Sequence, residues 1–331
     1  MKTPGQQYSV KRDGALLMDY LRELYPESSR TSLKNMLSKG QVLVNGQQCT
    51  AFDRPLRKGE KITVLPKTVS IARATLSDAK EALEAEGVKI YFEDDDYLVV
   101  DKPSGLLTVS SARGAKAKTG HKEKTLYAML NAYVKEGART RRKEDIAAGV
   151  RPDRSTAKVW IVHRIDRGTS GVLVFAKNEK AKDILQSKWR DLVGERYYTA
   201  ILERKVEKES GAVQSYLLEN PKSLKMLSLP EEAPGAQLAI THYQVLDYIH
   251  KGKGIYTLTR FSLTTGRKNQ IRVHAAQMGN PVAGDVKYGA QTDPLRRLAL
   301  HATSLEFRHP FTGKTLRFVS PLPEPFERFL Q

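Results

Sequence analysis

The sequence predicts an α+β protein in two parts. A small N-terminal α+β module occupies residues 9–66, and a larger domain on a mixed, largely antiparallel sheet occupies 88–331. Three features carry this reading. Two helix-spaced apolar runs followed by a short hairpin define the front module. Beyond residue 156, short strand candidates crowd together with few helical stretches between them. The regular strand–helix alternation of a doubly wound parallel sheet is missing.

Residues 1–8 read as a loose tail. From about 14 to 24, Leu16, Leu17, Tyr20, Leu21 and Leu24 recur at helical spacing, and Pro26 ends the run. Ser29 is the expected N-cap of a second helix carrying Leu33, Met36 and Leu37, with Gly40 as its stop. Val42-Leu43-Val44 reads as a strand, Asn45-Gly46 as a tight hairpin turn, and Ile62-Thr63-Val64 as the closing strand. Residues 67–87 read as a linker with a polar, alanine-rich helix.

The second core opens near Val88. Tyr97-Leu98-Val99-Val100 is a buried-strand candidate running into the turn Asp101-Lys102-Pro103-Ser104-Gly105. A basic insertion follows at 112–154, with twelve Lys or Arg against five Asp or Glu. Its centre, Thr125 to Val134, predicts one amphipathic helix. Its flank, with Arg139, Arg141, Arg142 and Lys143, reads as mobile basic loop suited to phosphate contacts. Strand candidates then fall at 159–162, 172–176, 197–203, 255–263 and 298–307, interrupted by amphipathic stretches at 179–193 and 269–278.

A net charge of +18 exceeds what solubility requires and points to a polyanionic partner. Nucleic acid is the usual one, because each neutralised phosphate releases condensed counterions. No apolar run is long enough for a spanning helix, and the N-terminus has no apolar core for a signal peptide. Cys49 is the only cysteine, so neither an internal disulfide nor a cysteine-based zinc site is expected. It reads as a small, partly buried hydrophobe in a protein of the reducing cytoplasm.

Common catalytic motifs fail. Gly313-Lys314-Thr315 imitates the end of a phosphate-binding loop, but the required earlier glycine is Arg308. The seven histidines show no paired helical spacing for a metal, and Gly-x-Ser-x-Gly is absent. The informative segment is His163-Arg164-Ile165-Asp166-Arg167-Gly168-Thr169-Ser170-Gly171, between two strand candidates. Asp166 is flanked by Arg164 and Arg167, which favour an ionised carboxylate. Charge neutralisation alone accounts for that pattern as chemistry.

The residues nevertheless resemble the signature of the RluA-type pseudouridine synthase family: His-Arg-Leu-Asp, two variable residues, Thr-Ser-Gly, then a strand ending in Ala-Lys. Here it reads HRIDRGTSGVLVFAK, His163 to Lys177. Asp101 to Gly105 resembles an upstream family motif, and Arg196-Tyr197-Tyr198-Thr199-Ala200 the tyrosine motif. Thr265-Gly266-Arg267 and Gln270-Ile271-Arg272-Val273-His274 resemble the third, continued by Gly284-Asp285 and Tyr288-Gly289. Leu300-His301-Ala302, His309-Pro310, Thr312-Gly313 and Pro321-Leu322-Pro323 complete the order. Three positions depart: Ile165 for leucine, Gly168 where an acid is frequent, and Asn269 where histidine is usual. The front stretch Ser29 to Gly46 resembles the S-four-type RNA-binding domain, whose equivalent helix faces an RNA backbone; here that helix and its exit carry Arg30, Lys34 and Lys39.

The resemblance implies the pseudouridine synthase fold and isomerisation of specific RNA uridines by base flipping, without a cofactor or metal. It assigns Asp166 as nucleophile, Arg272 as its ionic partner and Tyr198 as the residue stacking on the uracil. Arg164 is suited to hold the target nucleotide out of its helix, and His163, Thr169 and Arg267 complete the expected RNA-binding set. The implied substrate is large-subunit ribosomal RNA, since such a front module frequently accompanies these enzymes; transfer RNA is the alternative target. A non-catalytic RNA-binding assembly factor is the alternative class, against which the presence of Asp166 argues. A monomer without membrane association is expected.

Overall fold

The computed structural model describes residues 6–38, 41–64, 76–110, 123–148, 151, 157–252 and 254–331. The chain divides into two compact units, Met1–Thr75 and Leu76–Gln331.

The first unit contains β1 (Gln6–Ser9), α1 (Leu17–Leu24), α2 (Arg30–Ser38), β2 (Val42–Val44), β3 (Gln47–Gln48) and β4 (Lys61–Val64). The strands form an antiparallel sheet in the order β1-β4-β2-β3. Leu17 and Leu21 of α1 and Leu33 and Leu37 of α2 are buried in one cluster with Val42, Val44, Ile62 and Val64, and Cys49 packs half-buried against it. The Ser29 hydroxyl accepts from the Ser32 N–H at 3.2 Å, the N-cap geometry expected for α2. Asn45 and Gly46 have φ of 52° and 81°, the paired positive angles of a type I′ turn. The expected tail at 1–8 is corrected: residues 6–9 form a strand, with Gln6 opposite Val64 and Ser9 opposite Lys61. That pairing spans more than fifty residues of sequence, so nothing local signals it. Residues 1–5, Lys39, Gly40 and 65–75 lie outside the described residues.

The second unit opens with α3 (Leu76–Ala85), which falls in the expected linker. Its Leu83 is buried in the main core, so this segment belongs to the larger domain. Next come β5 (Lys89–Glu93), β6 (Tyr97–Lys102), α4 (Leu126–Ala147), β7 (Trp160–Ile161), β8 (Ser170–Ala176), α5 (Glu179–Ser187) and α6 (Trp189–Leu192). Then follow β9 (Val193–Glu203), β10 (Ser210–Glu219), β11 (Met226–Leu229), β12 (Gln237–Lys251), β13 (Gly254–Leu263) and α7 (Gln270–Gln277). A 3₁₀ turn (Val286–Tyr288), β14 (Leu300–Arg308), β15 (Thr315–Val319) and α8 (Glu324–Leu330) complete the chain.

One helix is longer than expected. α4 runs 22 residues and takes in Arg139, Arg141, Arg142 and Lys143, which the sequence reading assigned to mobile loop. Its first half is anchored by Leu126, Leu130 and Val134 at four-residue spacing, and Thr125 caps its start. Alanine, arginine, lysine and glutamate all favour helix, so the anchored half propagates into the charged half. Residues 111–122, 149–150 and 152–156 of the basic region lie outside the described residues.

The strands of this unit form one sheet in the order β11-β10-β12-β13-β9-β14-β8-β6-β5, with β15 added to β14 and β7 to β8. All described pairings are antiparallel except β14 with β8. Alternation along β6 and β8 sends Leu98, Val100, Leu173 and Phe175 to one face and Tyr97, Val99, Val172 and Val174 to the other. α4 covers the first face, and α5 and α6 cover the second. β8 is buried along its whole length as a result. Its parallel contact with β14 places Gly171 opposite Ala302. Gly171 has φ +114°, and a Cβ there would lie 2.1 Å from the Ala302 carbonyl oxygen, so only glycine fits. No helix among the described residues is long and apolar enough to cross a membrane.

Candidate active site

Asp166 lies in the loop between β7 and β8, and a second loop holds that one in place. Lys102, at the end of β6, is fully buried. Its ammonium donates to the carbonyls of Pro103, Leu106 and Arg167 at 2.9, 2.8 and 3.1 Å. Burial, then the charge of Arg297, pushes the Lys102 pKa down to about 7, and three carbonyl dipoles receive its hydrogens. Ser104 Oγ donates to the Gly168 carbonyl at 2.7 Å, Gly105 N–H to Arg167 at 2.8 Å, and Thr108 Oγ1 to Ile165 at 2.8 Å. The end of β6 and the segment after it therefore fix the backbone of 165–168 through four hydrogen bonds, counting the one from Lys102. Ile165 is buried in the main core, whereas the side chain of the next residue, Asp166, stays partly open.

The Asp166 side chain is 27% exposed. Two donors meet its Oδ2: Asn269 Nδ2 at 2.5 Å and Arg272 Nη1 at 3.2 Å. Both come from the start of α7, three residues apart and so on one helical face. Arg272 is itself held in a bidentate pair with the buried Asp285, Nε to Oδ2 and Nη2 to Oδ1 both at 2.7 Å. Its guanidinium carbon lies 5.0 Å from the centre of the Tyr288 ring. Burial works against the Arg272 charge, but the hydrogen bonds and charge of Asp285, and then the charge of Asp166, hold its pKa above the ordinary arginine value.

The turn that launches α7 is tied down by a buried amide. Gln270 Oε1 accepts from Thr265 Oγ1 at 2.8 Å and from Arg267 N–H at 2.9 Å. Its Nε2 donates to the Ile240 carbonyl at 3.0 Å and to Thr241 Oγ1 at 2.9 Å. Asn269 sits in the left-handed region with φ 54°, a conformation asparagine tolerates well.

Tyr198, on β9 opposite Phe261 and Ala302, is 6% exposed and packs in the main core. Burial raises its pKa, the charge of Arg196 lowers it, and the charge of Asp166 raises it again, which puts the phenol within electrostatic reach of the carboxylate. Arg164 is exposed and makes no ion pair among the described residues. Arg167 is paired with Glu123. Arg267 is half-buried, and its Nε donates to the Leu238 carbonyl at 3.1 Å. In the first unit Arg30 and Lys34 are exposed on α2, with the Lys34 ammonium 5.0 Å from the Phe52 ring; Lys39 lies outside the described residues.

Two residues expected to contact RNA are committed to the interior instead. Thr169 is 2% exposed, and its N–H donates to the Asp166 carbonyl at 3.2 Å, so it closes the loop from within. His163 Nε2 accepts from the Val174 N–H at 3.2 Å, and the ring packs on Trp189 at 5.1 Å. Burial, then Arg196, pushes the His163 pKa down to about 3, so this histidine is a neutral brace between loop and strand. Sequence reasoning gave no role to Lys102, Asp285, Tyr288 or Asn269. The first three stand inside recognised motif stretches, and Asn269 drew notice only as a departure from histidine.

Asp94, Asp96 and His309 converge with ligand-type atoms within 4.8 Å of one another. His309 Nδ1 accepts from the N–H groups of Phe311 and Thr312 at 3.3 and 3.2 Å, which assigns the ring proton to Nε2, 3.0 Å from Asp94 Oδ2. That proton donation makes the cluster a hydrogen-bonded brace between the turn before β6 and the turn after β14.

Comparison with known proteins places the chain in a family. A profile described as RNA pseudouridylate synthase matches residues 96–277. An uncharacterised RNA pseudouridine synthase of Bacillus subtilis (strain 168) is 33% identical over 304 residues, covering 92% of this chain and 89% of its own length. Ribosomal large subunit pseudouridine synthase D of Nitrosomonas europaea is 32% identical over 327 residues, covering 96% of this chain and 84% of its own. Among solved structures, human RNA pseudouridylate synthase domain containing 4 shares the fold with a TM-score of 0.53 at 23% identity, covering 77% of this chain and 95% of that one. The segment matched by the profile contains Asp166, Tyr198 and Arg272 together, and the chain belongs to the RNA pseudouridylate synthase family, isomerases that act on uridine in RNA.

Proposed function

We propose that this protein isomerises specific uridines of large-subunit ribosomal RNA to pseudouridine, with the carboxylate of Asp166 as the group that acts on the ribose. The observation that carries the reading is the Asp166–Arg272 pair. A carboxylate with more than a quarter of its surface exposed is backed by an arginine that Asp285 anchors in turn. The reaction breaks the bond between C1′ and N1, turns the uracil, joins C1′ to C5, releases the C5 proton and leaves N1 protonated, so that substrate and product are isomers. Attack at C1′ and removal of the 2′ proton both require a carboxylate at the sugar, the chemistry to which carboxylates are suited.

Tyr198 then forms the wall against which the uracil rests, and the exposed Arg164, two residues before Asp166, occupies the place the nucleotide leaves. The front unit acts as an S-four-type RNA-binding module, with Arg30 and Lys34 on the face of α2 turned to the RNA backbone. The arginine-rich half of α4 supplies phosphate contacts from the catalytic unit. The ribosomal target is favoured by relatives named for the large ribosomal subunit over nearly the whole chain. Carbodiimide mapping of ribosomal RNA from cells with and without the protein tests it. The expected result is one or a few pseudouridines in large-subunit RNA that vanish with the protein. Loss of a pseudouridine in transfer RNA alone would overturn the target.

A further inference from the structure

The two oxygens of Asp166 are not equivalent. Oδ2 receives both Asn269 Nδ2 and Arg272 Nη1, whereas Oδ1 accepts from no protein group among the described residues. We propose that Asn269 is a positioning residue for the isomerisation: with Arg272 it clamps Oδ2 and so presents Oδ1 as the oxygen that meets the ribose. The proposal rests on the reading of Asp166 as the reacting carboxylate.

The amide is not free to turn. The Met226 N–H points at Tyr288 Oη from 3.0 Å, and an N–H can only donate. Tyr288 Oη therefore accepts there and directs its own proton to Asn269 Oδ1, 3.1 Å away. With Oδ1 of the amide occupied, Nδ2 faces Asp166. A flipped amide would set its oxygen against the carboxylate and its NH₂ against the tyrosine proton. Burial, above all, raises the Tyr288 pKa and keeps that proton in place. A strand backbone N–H is thus connected through one phenol and one amide to the reacting group, and every member has a defined direction.

The residue type matters as much as its place. Asparagine donates and accepts simultaneously at any working pH, and its left-handed backbone, φ 54°, aims the amide across the turn. A histidine at this position would add a group titrating near neutrality. The other charged or titratable groups acting on Asp166 are Arg272, Lys102, Lys287, Tyr198 and Tyr288, with Asp285 behind Arg272. Replacing Asn269 by alanine leaves Arg272 as the single donor to Oδ2. A carboxylate that loses a donor is protonated more readily, so the acid limb of the rate profile must move to higher pH.

The test is single-turnover conversion of uridine in ribosomal RNA by the full-length protein, measured from roughly pH 4.5 to 8.5, with RNA affinity measured in parallel. Asn269→Ala is expected to move the acid limb up by about one pH unit and to slow the reaction at neutral pH by about ten-fold or more. RNA affinity is expected to stay within about two-fold of wild type, because the side chain acts through the carboxylate. Asn269→Gln, which keeps a donor and an acceptor and adds no titrating group, should return the limb toward wild type. If Asn269→Ala does not fold, Tyr288→Phe carries the test, since it frees the amide while leaving Asn269 present; its limb should move in the same direction. An acid limb that superimposes on wild type in the folded variant would overturn the proposal, whatever the change in rate. Asp166→Asn serves as the separate check on the parent reading: full activity there would remove Asp166 from the chemistry, whereas an inactive Asp166→Asn with an unmoved Asn269→Ala profile would remove only the role of Asn269.

Discussion

His274 lies inside α7, two residues beyond the arginine that holds Asp166, and it is fully buried. Its Nε2 meets Ser215 Oγ at 3.0 Å and its Nδ1 meets Thr241 Oγ1 at 2.7 Å. Burial pushes its pKa down from 6.5 to about 4. His301 is displaced in the same direction, again mainly by burial. A group neutral in the fold but protonated in the unfolded chain makes stability fall as pH drops below 6.5, and the loss is complete near pH 4. For His274 the displacement corresponds to on the order of 3 kcal/mol. The melting temperature is therefore expected to hold near neutrality and to fall between pH 6.5 and about 4. His274→Gln, which keeps a donor and an acceptor, should lose less stability over that interval. Calorimetry across the range checks it; parallel curves for the two proteins would contradict the assignment.

At the scale of elements, the joint between β8 and β14 is the most exacting. It is parallel in an otherwise antiparallel surround, and it sets the strand that follows the Asp166 loop. Gly171→Ala is expected to destabilise the protein by at least about 3 kcal/mol, because the left-handed φ and the contact with Ala302 are both refused to a side chain. Urea unfolding measures it, and a wild-type midpoint would contradict the close approach. Such joints also mark what the sequence discloses. Ser29, Asn45-Gly46 and the apolar runs of β6 and β8 announce their elements, because cap, turn and burial on both faces leave local signs. β12 escapes notice: Gln237 to Lys251 alternates weakly, since one of its faces is only partly buried. The length of α4 escapes notice because a run of arginines reads as a solvated loop until an anchored helix is seen to precede it. At the site, the motifs contain Asp166, Arg272 and Tyr198 outright. The clamp by Asn269, the anchor at Asp285 and the ammonium of Lys102 are contacts between segments distant in the chain, which residue patterns along one strand do not encode.

For the molecule as a whole, a net charge of +18 has a direct thermodynamic consequence. Each phosphate neutralised on binding releases counterions, so RNA affinity is expected to fall steeply with salt. A protein contacting six or more phosphates loses on the order of 10³-fold between about 50 and 200 mM salt. Filter binding over that range measures it, and a flat response would contradict electrostatic docking. The proposed docking rests on this charge, and the proposed chemistry on one carboxylate held by Arg272 and Asn269. The most direct test is conversion of uridine to pseudouridine in purified large-subunit ribosomal RNA by wild-type protein and by Asp166→Asn, read by carbodiimide mapping alongside RNA affinity. Conversion by wild type and none by the variant is expected, with affinity unchanged to within about two-fold. Wild-type conversion by Asp166→Asn would contradict the role of Asp166.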